Sequence, residues 1–317
     1  MIRTLDIFCG AGGSSAGARA AGSEIVAGID CCPIATGTYA ANFPGARVVT
    51  SRLEEVDLPA FKAELGNIDL LLASPECRNH TCARGAAPLD EDSRATALMT
   101  VDYARAFRPR WLVLENVIHI RPWSRFRELK DSLRHLGYHL EEHVLNASHF
   151  SVPQARRRLF LVGDLEGSPG VTLTDGSVLG PSAKSVLDDP GTWKTSPLFS
   201  PRRAEATLAR AKRAFAVLAD GESFLVVYYG SDGSGGWQRL DRPLRTVTTV
   251  DRFGLVEHDG DRWTLRMLQV PELKRAMGLP DDFKLPLGTR RDRIRLLGNG
   301  VCPPVMEAVV RSLVAAA

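Results

Sequence analysis

The opening segment, Ile2 to Gly22, constrains this chain more than any other. It passes from a short apolar run, Ile2 to Phe8, through Gly10, Gly12 and Gly13 into the Ala-rich stretch "SSAGARAAG", which reads as strand, glycine turn and helix. The pattern repeats at once. "SEIVAGID" is a second β-branched run ending in an acid, Asp30, and Pro33 to Asn42 is a helix candidate. Further strands are predicted at Arg47 to Val49, Ile68 to Ser74, Arg110 to Asn116, "HLEEHVLNA" and Arg157 to Gly163, with helices over about Ser93 to Phe107 and Trp123 to Leu136. Apolar strands alternating with helices predict an α/β, Rossmann-like domain whose parallel sheet is covered on both faces.

After Gly163 the texture changes to "DLEGSPGVTLTDGSVLGPSAKS", dense in Gly, Pro, Ser and Thr and without helical period. The length of 317 residues allows about two domains. A smaller, mostly β or irregular domain is therefore expected over residues 164–289, with one helix, Ala204 to Leu218, and short strands joined by glycine turns. From Leu297 the loop "GNGVCPP" leads into an apolar helix, Val305 to Ala315, whose composition returns to that of the first half. That return assigns residues 1–163 and 290–317 to one domain. Hydrophobic residues at 44% and charged residues at 24% exclude disordered and fibrous classes, while 40 Lys and Arg against 37 Asp and Glu leave a polyanionic partner undecided. No run of about 20 apolar residues is available to span a bilayer and the N-terminus lacks a signal-peptide core, so a cytoplasmic location and free thiols are expected.

Candidate chemistry follows from the strand ends. Open α/β sheets place reacting groups beyond the carboxyl ends of their strands. Cys77, in "ASPECRNHT", falls just past the strand that begins at Ile68, and Glu115 and Asn116 close the strand "RWLVLEN". A thiol and a carboxyl could thus converge on one ligand. The glycine turn with Asp30 about 20 residues on fits a nucleotide-like cofactor whose ribose hydroxyls the acid would take. Both a dinucleotide oxidoreductase and a methyltransferase satisfy this, but "FCGAGG" lacks the G-x-G-x-x-G spacing of the former.

With these residues in place, the sequence resembles the DNA (cytosine-5)-methyltransferase family. "DIFCGAGG" is similar to its cofactor motif, Asp30 with Asn42-Phe43 to the second, "SPEC" to the Pro-Cys nucleophile loop and "ENV" to Glu-Asn-Val. "PQARRR" carries Gln-x-Arg-x-Arg at Gln154, Arg156 and Arg158, "RPLRTVTT" resembles the ninth motif and "GNGVCPPV" the tenth. The resemblance implies S-adenosylmethionine as cofactor, double-stranded DNA as partner and a monomer without metal. Cys77 would attack carbon 6 of a flipped-out cytosine, Glu115 would supply a proton at N3, Arg158 would hold O2, and Arg156 and Gln154 would brace the loop. Phe8, Gly10, Gly12, Gly13, Asp30, Asn299 and Val301 would form the cofactor pocket. Asn116 and Arg78 would face the substrate, and Arg202 and Arg203, in an Arg-rich stretch, would touch phosphate.

The departures are specific. Glu76 and Arg78 replace the residues that usually flank the nucleophile, and Arg52 stands where the third motif offers an acid for adenine, leaving Glu54 or Asp57 as substitutes. An Arg there could favour a carboxylated cofactor and transfer of a larger group. An RNA cytosine-5 methyltransferase and a catalytically silent DNA-binding homologue are the other readings. Cys77, His80 and Cys82 share a loop but lack a fourth ligand at companion spacing, so no metal is expected.

Overall fold

The computed structural model describes residues 1–76, 90–173, 180–229 and 235–316. Its first half is built by strand and helix in alternation: β1 (Arg3–Ile7), α1 (Gly13–Ala20), β2 (Glu24–Asp30), α2 (Pro33–Asn42), β3 (Arg47–Thr50), α3 (Leu58–Leu65) and β4 (Leu70–Ala73). Local chemistry sets these boundaries. Pro33 opens α2, where its missing N–H costs nothing; α3 starts after the Asp57 carboxylate accepts the Ala60 N–H and stops at Gly66, φ 72°. Helices α4 (Glu91–Ala95) and α5 (Met99–Phe107), strand β5 (Trp111–Asn116), helix α6 (Ser124–His135) and strands β6 (His139–Asn146), β7 (Gln154–Ala155) and β8 (Arg157–Asp164) complete it.

The large sheet has the order β3-β2-β1-β4-β5-β8-β6. Strands β3 to β5 are parallel, but β8 runs antiparallel to both β5 and β6. The expected all-parallel sheet is corrected to a mixed one. Residues 147–156 link β6 to β8, too short a connection to hold the crossover helix that a parallel pair needs. Both faces are covered: along β4, Leu70 and Leu72 join one core with Tyr39 and Val309, whereas Leu71 and Ala73 join the other with Phe61, Tyr103 and Leu129.

A second sheet, in the order β11-β10-β13-β14-β9, comprises β9 (Ser196–Pro197), β10 (Phe224–Val227), β11 (Trp237–Arg239), β13 (Phe253–His258) and β14 (Trp263–Met267). Helix α7 (Glu205–Phe215) packs on it, and strand β12 (Leu244–Arg245) leaves to pair with β7. Helices α8 (Val270–Ala276), α9 (Arg290–Asn299) and α10 (Pro303–Ala315) follow. As expected, α10 packs back on the first half: Val305, Met306 and Val309 share a core with Ala16 and Ala18 of α1, and Arg311 donates to the Ala20 carbonyl.

The segments flanking the second sheet do not stay with it. Thr172 bonds Ser312 of α10, and Asn42 of α2 exchanges hydrogen bonds with both backbone groups of Lys284.

Beneath the glycine turn lies a buried polar cluster. Ser15 Oγ stands 2.6 Å from Asp6 Oδ2 and 2.7 Å from the Tyr39 hydroxyl, while Asp6 Oδ1 has no hydrogen-bond partner. Burial pushes the Asp6 carboxyl up to about 7, opposed by the Ser15 hydrogen bond. A carboxyl raised in the folded state stabilises fully below its unfolded pKa of about 4, and that contribution is lost as pH climbs towards 7. Asp6→Asn, which keeps an acceptor for Ser15, is therefore expected to match the native chain near pH 4 and exceed its stability at pH 8 by up to about 4 kcal/mol. Denaturant unfolding at both pH values checks this; equal differences at both would refute the assignment.

Candidate active site

The carboxyl ends of β1, β2, β4 and β5 converge where the sequence places its chemistry. After β1, Phe8 adopts φ 57° with its ring half-buried, and Gly10 follows at φ 53°. Nothing lies within 4 Å of where a Gly10 Cβ would project, so the backbone here borders open space. Gly12 caps α1. A Cβ on Gly13 would stand 2.3 Å from the Val301 carbonyl oxygen, and only glycine allows this approach of the tenth-motif loop.

Asp30, at the end of β2, ties the turn together. Its Oδ2 accepts the Gly10 N–H at 3.0 Å and its Oδ1 the Cys32 N–H at 2.8 Å. Burial raises its pKa and these two bonds oppose the rise. Each carboxylate oxygen retains a lone pair. Asn299 is exposed at the end of α9. Of the substitutes for the third-motif acid, Asp57 is engaged in capping α3, and Glu54 pairs with Arg52 at 2.7 Å.

The catalytic side is built between β5 and β8. Glu115 is 6% exposed, and its Oε1 lies 3.3 Å from Arg158 Nε. Burial raises the Glu115 pKa, with Arg158 and then Arg156 pulling the other way. Glu115, Arg156, Arg158, Val301 and Cys302 line one cavity with Leu145, Ala147, Phe160 and Val305. Cys302 is a pocket residue missed in the sequence, although it lies inside "GNGVCPPV"; burial lifts its thiol to about 11.

Several of the polar residues singled out in the sequence make internal hydrogen bonds. Asn116 Nδ2 donates to the Pro75 carbonyl and its Oδ1 accepts the Val117 N–H. Gln154, fully buried, donates to the Ala276 carbonyl and accepts the Val247 N–H. Arg156, expected to brace the loop, donates to the carbonyls of Val247, Gly298 and Gly300 at 3.0, 2.8 and 2.9 Å, tying the ninth- and tenth-motif segments to the start of β8. The Arg203 guanidinium donates to the Leu198 and Pro197 carbonyls and to the Ser196 hydroxyl, holding β9. These bonds have one cause: a buried or inward-turned polar group must find partners, and backbone carbonyls are nearest. Arg202 remains exposed. Cys77 and Arg78 lie outside the described residues, as do His80 and Cys82. Among the described residues no His, Cys, Asp and Glu group could hold a metal, and no helix is long and apolar enough to cross a membrane.

The family profile of the C-5 cytosine-specific DNA methylases matches residues 2–315. The chain belongs to that family. It is similar to the Type II methyltransferase M.AgeI of Thalassovita gelatinovora, 30% identical over 98% of this chain and 70% of the relative, and to M.NlaX of Neisseria lactamica, 27% identical over 100% and 97%. The match to M.HgiDI of Herpetosiphon aurantiacus, 33% identical, spans 53% of each chain. In fold it resembles the methyltransferase EhMeth of Entamoeba histolytica, with a TM-score of 0.74, 16% identity and coverage of 100% and 98%. S. pombe Dnmt2 gives 0.71 and 19%, over 99% and 98%. The expected α/β methyltransferase fold with a small β unit is thus the fold observed, and the chain is a DNA cytosine-5 methyltransferase.

Proposed function

We propose that this methyltransferase acts on a cytosine flipped out of double-stranded DNA, with Cys77 as nucleophile and S-adenosylmethionine as methyl donor. The observation that carries the reading is the meeting of Glu115 and Arg158 at 3.3 Å beside β5, whose next residue, Asn116, holds the carbonyl of Pro75 two residues before Cys77. Thiolate addition to carbon 6 turns the ring into an enamine and makes carbon 5 nucleophilic. Glu115, whose pKa burial raises, delivers a proton at N3 in its protonated form, so charge does not build up as the carbon–sulfur bond forms. Arg158 holds the ring at O2. When bound, the cofactor supplies the methyl group from its sulfonium centre. Loss of the carbon 5 proton to a base then expels the Cys77 thiolate, and return of the N3 proton to Glu115 leaves the neutral aromatic ring.

The open space at Gly10, the half-buried Phe8 ring and the Asp30 carboxylate, whose oxygens each keep a lone pair for ribose hydroxyls, suit the cofactor, with Asn299 and Val301 at the tenth-motif side. Asp30→Ala is expected to weaken S-adenosylmethionine binding by about 1 to 3 kcal/mol, because it removes charge-assisted bonds to ribose and releases the Gly10 amide. Unchanged affinity by calorimetry would leave Asp30 as a loop brace alone. The small unit reads the target sequence, and similarity to Type II methyltransferases supports a role in restriction-modification.

Nucleoside mass spectrometry of duplex DNA and of tRNA, each incubated with the purified protein and labelled cofactor, tests the whole reading. It expects 5-methylcytosine in the duplex. Product only in tRNA, a heavier adduct from a carboxylated cofactor, or no product at all would each replace it.

A further inference from the structure

We infer that Glu76 is a positioning residue for the nucleophile, latched through its carboxylate to Ser93 of α4. This rests on the reading of Cys77 as the attacking thiol. The chain approaching Cys77 is pinned one residue at a time. Ser74 donates its N–H to the Ile7 carbonyl at 3.3 Å and pairs its hydroxyl with that of Ser14 at 3.1 Å. The Pro75 carbonyl takes the Asn116 amide at 3.1 Å. Glu76, whose side chain would otherwise rotate freely on an exposed backbone, receives the Ser93 hydroxyl at 2.6 Å. An O–H donating to a carboxylate is among the stronger hydrogen bonds, and it offsets the entropy of fixing a long side chain.

A latch positions only if its far end is fixed. Ser93 meets that condition, since its own N–H is capped by Asp90 Oδ1 at 3.0 Å. Next to it, Glu91 accepts the indole N–H of Trp123 at 2.6 Å, and Trp123 is 2% exposed, packed in the core beneath the sheet. The Arg94 guanidinium stacks 5.4 Å over the same indole and bonds Glu91 at 3.0 Å. Short helix α4 is thereby anchored to the hydrophobic core, and the Glu76–Ser93 bond carries that anchorage to the residue joined covalently to Cys77. Where the family usually has proline before the cysteine, which restrains φ covalently, this chain has a glutamate restrained from its side chain.

The test compares Glu76→Ala, Ser93→Ala, Glu76→Gln and the double variant Glu76→Ala/Ser93→Ala. For each, kcat, the KM for S-adenosylmethionine, the Kd for duplex DNA and the rate of covalent trapping on a 5-fluorocytosine duplex are measured. Misplacing a reacting atom by a fraction of an ångström costs rate, not ground-state binding. Both alanine variants should lose roughly tenfold to a hundredfold in kcat and in trapping rate with KM and Kd within about twofold. Glu76→Gln, whose amide oxygen still accepts from Ser93, should stay within about threefold of wild type, and the double variant should be no worse than either single one. Additive losses, or alanine variants with native kcat, would overturn the latch. A raised Kd for DNA in Glu76→Ala that Ser93→Ala does not share would mean that the carboxylate meets the nucleic acid instead. Failure of the wild type itself to trap a fluorinated duplex would remove Cys77 as nucleophile, and the latch with it.

Discussion

Cys77→Ser is expected to leave no measurable cytosine modification while S-adenosylmethionine binds as in the native protein. A serine hydroxyl is not ionised at neutral pH and is a far weaker nucleophile than a thiolate, so addition to carbon 6 stops. No thiol described at the pocket can substitute. Cys302 lines the cavity with Glu115 and Arg158, but with its thiol pushed to about 11, roughly one molecule in 3,000 carries the thiolate at pH 7.5. Cys9 is buried and likewise raised well above its ordinary value. The trap experiment locates the reacting residue directly. A 5-fluorocytosine duplex holds the wild type covalently, since fluorine cannot leave as the proton does, and trypsin releases Cys77 on the peptide Ala63–Arg78, whereas Cys82 falls on Asn79–Arg84. An adduct on the second peptide, or retained turnover in the serine variant, would move the nucleophile to Cys82.

The strand and helix alternation of the first half was legible because each element is announced locally: Pro33 to Asn42 forms the very helix its proline and composition predict. Strand direction was less so. A buried strand reads as the same apolar run whichever way it points, and only the short 147–156 link distinguished β8 from a parallel neighbour. What an irregular segment packs on is hidden for a related reason. Texture marks irregular chain, not what that chain packs on, and Thr172 and Lys284 show irregular segments fastened to helices of the larger unit.

Site residues divided in the same manner. The residue types at Glu115 and Arg158 announce their chemistry, and the fold brings them together. The polarity of Asn116, Gln154, Arg156 and Arg203 is visible in the sequence, whether read as ligand group or as brace, but their partners are not. Their partners are carbonyls 41 to 144 residues distant for the first three and five to six residues distant for Arg203, and no local rule distinguishes those cases. The most informative departures from pattern were those flagged by chemistry that did not fit: Glu76 before the cysteine had no obvious purpose until Ser93 stood beside it.

Glu115→Gln is the second large effect expected, a loss of about 10² to 10⁴ in kcat with the fold intact, because what it removes is a proton and little else. Gln matches Glu in size and can still accept from the exocyclic amine of cytosine, so the KM for DNA changes little. It cannot transfer a proton to N3. Stability argues the same way: burial raises the Glu115 pKa, so at neutral pH its ionised form is held against a desolvation cost that an amide does not carry, and Arg158 keeps its bond to the Arg157 carbonyl. The pH profile decides between a proton donor and a mere orienting group. The step needs protonated Glu115, so in the native enzyme kcat falls as pH rises through the raised Glu115 pKa, while the need for Cys77 thiolate makes the rate fall at the acid side. In Glu115→Gln the alkaline limb should vanish and the acid limb remain. A glutamine variant within about threefold of native kcat, or one that keeps the alkaline limb, would show that the proton comes from elsewhere and that Glu115 serves only to hold the ring.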